Sequence, residues 1–181
     1  MATTASTDFT RQLRSLRQAR RFTGQPVPDE IVNDLLEVAR WTGSSKNTQP
    51  WHFIVVTDPE VRQQLSTAGP YAGFLAGAPL VIVVAMAGRN PGSESYDEGR
   101  VTERVMLAAA SHGLGSGTGW FLPGAEGADR VKELLGIPSE MSVRQAIGIG
   151  YVADGEQRVS SVAGGRKPLD EIVSRGRFGQ H

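Results

Sequence analysis

The chain has 181 residues, 39% of them hydrophobic, and its 19 Lys and Arg balance 19 Asp and Glu to a formal net charge of zero. That length holds one well-buried domain, and the charge balance favours neither nucleic acid nor an anionic membrane as a general partner. With no cysteine in the chain, disulfides, thiolate catalysis and Cys-based metal or iron-sulfur sites are excluded. No apolar run approaches the ~20 residues of a membrane span, and the polar start "MATTASTDFT" lacks the apolar core of a signal peptide, so the expectation is a cytoplasmic protein. Residues 1–10 read as a disordered tail ahead of a single domain over 11–181.

In chain order, "RQLRSLRQARR" (11–21) carries arginines at 11, 14, 17 and 20, a three-residue spacing that predicts a helix with a basic face. "VPDEIVNDLLEVARWTG" opens with Pro28 and two acids, has apolar residues at 31, 32, 35, 36, 38 and 39, and stops at Gly43, which predicts an amphipathic helix. "WHFIVV" (51–56) reads as a strand and "PEVRQQLSTAG" (59–69) as a short helix. "PLVIVVAM" (79–86) reads as a strand too continuously apolar to face water on either side. From Tyr96 a long helix runs to Gly113 and Gly115, with Val101, Val105, Leu107, Ala108 and Ala109 as burial candidates. "SGTGWFL" (116–122) is a third strand, "GADRVKELLGI" (127–137) a helix stopped by Pro138, "VRQAIGIGYV" (143–152) a fourth strand and "PLDEIVSR" (168–175) a final helix. The sum is a sheet flanked by helices, a three-layer α+β domain.

Motif searching mostly removes possibilities. "GLGSGTG" (113–119) satisfies G-x-G-x-x-G in no register and follows a helix where the dinucleotide fingerprint follows a strand. Neither a P-loop nor G-x-S-x-G is present, and histidines at 52, 112 and 181 are too scattered for a metal site. No catalytic side chain and no metal ligand is assigned. An enzyme built on this chain would take its reactive group from a cofactor.

The ordered set "RQARRF" (17–22), "PVPDEIVNDLLEVARW", "GSSKNTQPWHFIVV", "APLVIVV", "DEGRVTERVMLAAASHGLGSGTGW" and "GRKPLDEIV" (165–173) resembles the nitroreductase family of FMN-dependent oxidoreductases. "SSKNTQPWHF" is its most specific piece. The resemblance implies an α/β/α sheet flanked by helices, a homodimer with FMN at the subunit interface, and hydride transfer from NADH or NADPH to FMN and on to a small-molecule acceptor, a nitroaromatic or quinone. A flavin-binding protein without turnover and a flavin-dependent dehalogenase or dehydrogenase are the alternatives. One open flavin face would make the reaction ping-pong.

The resemblance places cofactor contacts at Arg17, Gln18, Arg20 and Arg21 in the early basic segment, and at Arg166 and Lys167 in the late one. Forked guanidinium groups match the oxygens of a phosphate that carries about −1.5 to −2 charge. Arg20 is further expected to stabilise charge on the reduced flavin. Ser44, Ser45, Lys46, Asn47 and Gln49 match the family's "SSxNxQPW" motif and, apart from the Lys46 ammonium, offer uncharged donors and acceptors to the ribityl chain and ring edge. Gly117, Thr118, Gly119 and Trp120 match the segment passing the reactive face, where glycine would let backbone N–H approach the ring. Gly119 stands where many relatives have cysteine, which predicts a more open local wall.

Overall fold

The computed structural model describes residues 8–155 and 166–180. β1 (Trp51–Val56), β2 (Leu80–Met86), β3 (Gly115–Trp120) and β4 (Ser142–Gly150) form an antiparallel sheet in the order β1-β2-β4-β3. Around it lie α1 (Asp8–Ser15), α2 (Asp29–Arg40), α3 (Pro59–Ser66), α4 (Pro91–Ser111), α5 (Ala128–Leu135) and α6 (Leu169–Ile172).

Strand β2 explains the three layers. Side chains alternate faces along a strand, so Leu80, Ile82, Val84 and Met86 enter one core with Val32, Leu35 and Ala39 of α2 and Val101, Val105 and Ala109 of α4. Val81, Val83 and Ala85 enter the other, with Leu65 of α3, Val131 of α5 and Leu75 of the 3-10 turn Gly73–Gly77. Every residue of β2 is buried on this account, as its unbroken apolar run predicts. Fully burying a Val, Leu or Ile contributes about 1.5–3 kcal/mol, so a strand covered on both faces is the main source of cohesion between the layers.

Several boundaries differ from the sequence reading, each for a local reason. α1 begins at Asp8, inside the ten residues expected as a tail, and ends at Ser15. The helix expected over 11–21 therefore forms only as far as Ser15: Arg17 and Arg20 lie in the segment that runs against the edge of β3. Gln18 bridges to Ser116, the Ala19 N–H donates to the Ser116 carbonyl at 2.8 Å, and Phe22 bridges to Val152. Pairing with a strand about 100 residues away overrides the helical spacing of the arginines. α4 starts at Pro91 rather than Tyr96. The Asn90 side chain caps it by accepting the Ser93 N–H, with Pro91 in the first turn. α5 stops at Gly136, whose φ of 64° is left-handed, before Pro138 is reached.

The β3 glycines make the edge pairing possible. A Cβ on Gly115 would sit 2.8 Å from the Ala19 Cβ, and one on Gly117 would sit 2.5 Å from the Ala19 carbonyl oxygen. Gly117→Ala is therefore expected to push residues 17–22 off the strand. Urea unfolding should show a loss of ~1–3 kcal/mol, accompanied by faster hydrogen exchange of the Ala19 amide.

Candidate functional site

A cavity of about 880 Å³ opens between the segment that follows α1, one face of α4, and the C-terminal end of β3 beside β4. This is within the size range of small-molecule sites. Arg14, Arg17 and Gln18 line it from the N-terminal segment, Glu98, Thr102 and Met106 from α4, and Arg166 from the chain's late basic stretch. Thr118 and Trp120 of β3 and Arg144 and Gln145 of β4 complete the sheet wall.

Gln18 is held at two points. Its Nε2 donates to Thr118 Oγ1 at 3.3 Å, and its Oε1 accepts the Thr118 N–H at 3.2 Å. Arg17 turns one guanidinium nitrogen back onto the carbonyls of Arg14 and Leu16, at 2.8 and 2.7 Å. The structure thus brings Arg17, Gln18, Thr118, Trp120 and Arg166 to one cavity.

Other expected residues lie elsewhere. Arg20 stacks over the Phe74 ring, 5.9 Å from its centroid, and neither it nor Arg21 nor Lys167 is part of the cavity wall. Gly117 and Gly119 do not face the cavity. A Cβ on Gly119 would meet Leu75 and Ala72 at 3.0–3.2 Å, so this glycine accommodates the core and does not open the cavity wall. The space beside Gly117 is filled by Ala19, not left for a ligand.

Ser44, Ser45, Lys46, Asn47 and Gln49 form a separate loop on the other side of α4. Lys46, Asn47 and Gln49 all have positive φ, between 45 and 54°, a conformation that L-residues other than Asn and Asp rarely adopt. Specific bonds hold it. Ser44 Oγ accepts the Gln49 N–H at 2.8 Å, and the buried Asp97 of α4 accepts the Ser45 N–H at 2.9 Å. Asp97 is in turn 3.5 Å from Arg100, whose guanidinium packs so closely on Gly43 that a side chain there would meet it at 2.9 Å.

The sequence reading missed Glu98 and Arg144. Glu98 is 3% exposed and accepts Arg144 Nε at 2.7 Å on Oε2, with the second Arg144 nitrogen 2.6 Å from the same oxygen. Oε1 has no partner among the described residues. Beside this pair Gln145 Nε2 donates to the Thr102 hydroxyl at 3.0 Å. One signal was available: Glu94 and Glu98 precede Val101 and Val105 at helical spacing, which puts two acids on an apolar face. Glu94 accepts the N–H groups of Gly88, Arg89 and Asn90 on its carboxylate, which holds the turn ahead of α4.

Burial raises the Glu98 carboxyl above its ordinary value of 4.5, and the neighbouring Arg144 charge offsets this only in part. A raised acid favours the folded state when protonated, so its contribution is full below 4.5 and is lost as pH rises through the folded value. Urea unfolding against pH should show that downward slope in the wild type and a flatter one in Glu98→Gln. Arg144→Met should move the Glu98 titration further up by carboxyl NMR. It should also cost ~3–5 kcal/mol near neutral pH, because a buried carboxylate loses its partner.

Among known proteins, the Nitroreductase family matches over residues 13–69 and 66–151. A protein of Archaeoglobus fulgidus, assigned by name to the NADH dehydrogenase/NAD(P)H nitroreductases, is 33% identical over 76% of this chain and 82% of its own length. The NADPH-flavin oxidoreductase of Vibrio harveyi is 27% identical over 75% of this chain and 62% of its own. The solved structure of an FMN-dependent nitroreductase from Clostridium difficile R20291 superposes with a TM-score of 0.81 at 26% identity, covering 92% of this chain and 98% of the other.

Proposed function

The chain belongs to the nitroreductase family, and on that premise we propose that it is an FMN-dependent oxidoreductase that draws on NADH or NADPH and reduces nitroaromatic, quinone or related acceptors. One observation carries the reading: Arg14, Arg17 and Arg166, brought from the two ends of the chain, line one cavity with Gln18, Thr118 and Trp120. These residues fit the cofactor. Guanidinium groups suit a terminal phosphate, the amide and hydroxyl suit ribityl oxygens, and an exposed indole suits an aromatic ring. FMN, when bound, would supply hydride acceptance and donation. Arg17 and Arg166 would hold its phosphate, Lys167 would add to the local charge, and Gln18 and Thr118 would fix its polar chain. With the flavin covered on one side, nicotinamide and acceptor would take turns in the same space, a ping-pong order, and the acceptor's proton would come from water.

A homodimer follows from the same residues. Within one chain the 44–49 loop and the cavity lie on opposite sides of α4, and the exposed stripe of Ser95, Gly99 and Glu103 belongs to the cavity side. At Gly99 a Cβ would meet nothing within 4 Å, leaving room for a second helix to approach. A two-fold partner crossing there would bring its own Ser44, Ser45 and Asn47 to this cavity.

Denaturation is expected to release FMN and no FAD, identified by chromatography. Arg17→Ala should weaken FMN binding roughly ten- to a hundred-fold in a fluorescence titration of apoprotein, the loss of one or two charge-assisted hydrogen bonds. The bound flavin should bleach with NADH or NADPH and recover with a quinone; a flavin that never bleaches would mark a binding protein without turnover.

Gly99→Arg tests the assembly. It should give a monomer by light scattering; because Gly99 also lines the cavity, the coupling to flavin is read on the wild type, whose association should tighten when FMN is added. A wild-type monomer with full occupancy would remove the dimer from the account.

A further inference from the structure

Arg144 and Gln145 are neighbours on β4, yet both reach α4: Arg144 contacts Glu98 and Gln145 contacts Thr102. Side chains on a regular strand alternate faces, and the register shows why these two do not. Between the pairs Val83↔Ala146 and Ala85↔Val143, β2 advances by two residues and β4 by three. The extra residue is a β-bulge, a device that re-aims side chains. Val143 and Ala146 on either side of it both stay in the core under α3 and α5, while the bulge carries a cation to a carboxylate that α4 has buried.

A buried ion pair of this kind adds little stability over apolar packing of equal volume, so holding the layers together does not account for it. Its asymmetry is more informative. Arg144 Nε donates to Glu98 Oε2 and Nη2 lies 2.6 Å from the same oxygen, whereas Oε1 is buried with no partner among the described residues. One oxygen of the carboxylate is taken and the other is open to a proton. Around the group stand Arg144 from β4 and Glu94 from the preceding turn of α4, and the cavity it lines also holds Arg14, Arg17, Arg166 and Glu103. Burial raises the Glu98 carboxyl, Arg144 offsets this in part, and Glu94 adds to the rise. Gln145, next to Arg144, pairs in register with Trp120, so the group lies toward the end of the cavity that the reading above gives to the flavin ring. Two electrons that enter with one proton, as a hydride, add one negative charge there. In a cavity with little water such a charge disfavours a neighbouring carboxylate far more than it would in bulk solvent.

We propose that Glu98 takes up one proton from solvent when the bound flavin is reduced and returns it to cavity water when the electrons pass to the acceptor, which keeps the net charge of the site constant. The nicotinamide gives up a hydride and leaves as a cation, the cavity gains that hydride, and a bond forms between Glu98 Oε1 and the solvent proton. The same O–H bond breaks as the acceptor takes the hydride. Arg144 is a positioning residue that keeps Oε2 occupied, so that the proton goes to Oε1. The proposal rests on the oxidoreductase reading of that cavity.

The midpoint potential of the FMN-loaded protein against pH, measured by equilibration with redox dyes, tests it. Over a window of about one pH unit or more above 4.5, the wild type should bind one more proton per electron pair than Glu98→Gln, a tenfold change in the equilibrium per pH unit or about 30 mV. The double variant Glu98→Gln/Arg144→Met, which leaves no buried charge unpaired, should follow Glu98→Gln. Glu133→Gln, on the exposed side of α5, should follow the wild type. In the same window the infrared difference between reduced and oxidised wild type should gain a protonated-carboxyl C=O band that both Glu98 variants lack. One pH dependence shared by the wild type and both Glu98 variants, or no such band in the wild type, overturns the proton uptake and leaves the oxidoreductase reading standing. A protein that holds no FMN overturns both.

Discussion

Residues 17–22 lie against the outer edge of β3, and the cavity's cationic wall depends on this contact. It forms because Gly115 and Gly117 carry no side chain where Ala19 packs, and it is closed by the Ala19 to Ser116 hydrogen bond and the two bonds between Gln18 and Thr118. An edge strand presents unpaired backbone groups; here the chain satisfies part of that edge with its own N-terminal segment. The same alternation that turns the β3 glycines toward the core turns Thr118 and Trp120 toward the cavity. One pairing thus fixes both the basic segment and the polar strand positions opposite it.

What was legible in the sequence follows the range of the interactions involved. β1 and β2 were read within a residue of their ends because their burial is written in consecutive apolar residues. Arg11, Arg14, Arg17 and Arg20 repeat at a helical spacing, but the backbone of the last two is claimed by a strand far along the chain, which no local pattern reveals. The glycines of "GLGSGTG" were read as making room for the flavin ring, whereas a group of the protein itself takes up that room. That group proved to be Ala19, Leu75 and Ala72. Arg144 was invisible because it reaches the site through a bulge, and an inserted residue breaks the period-two rule by which a strand's inward positions are counted.

The 44–49 loop shows a different economy. Positive φ at Lys46 and Gln49 is strained backbone, of order 1–3 kcal/mol each, and it persists because Asp97 and Ser44 bind the loop from both ends. Nothing in the chain's own cavity uses that geometry. The strain is intelligible if the loop serves the cavity of a second copy, since α4 then holds both halves of a site: Asp97 and Arg100 steady the loop on one side while Glu98 and Thr102 face the cavity on the other.

Charge follows the same division. Over the whole chain the formal charge is zero, so long-range attraction of an anion is weak at physiological ionic strength, where the Debye length is about 8 Å. Inside the cavity Glu98 is matched by Arg144, which leaves Arg14, Arg17 and Arg166 against Glu103. A phosphate monoester of about −1.5 to −2 would balance that excess. On the proposed reading, recognition of the cofactor's anionic end would be short-ranged and would depend on three arginines being held in place. Arg166 is set there by the last described segment of the chain, and the other two by α1 and the residue pair that follows it, which end where the β3 edge begins to hold the backbone. Anything that loosens residues 17–22 from Gly115 and Gly117 would scatter this charge before it disturbed the core around β2.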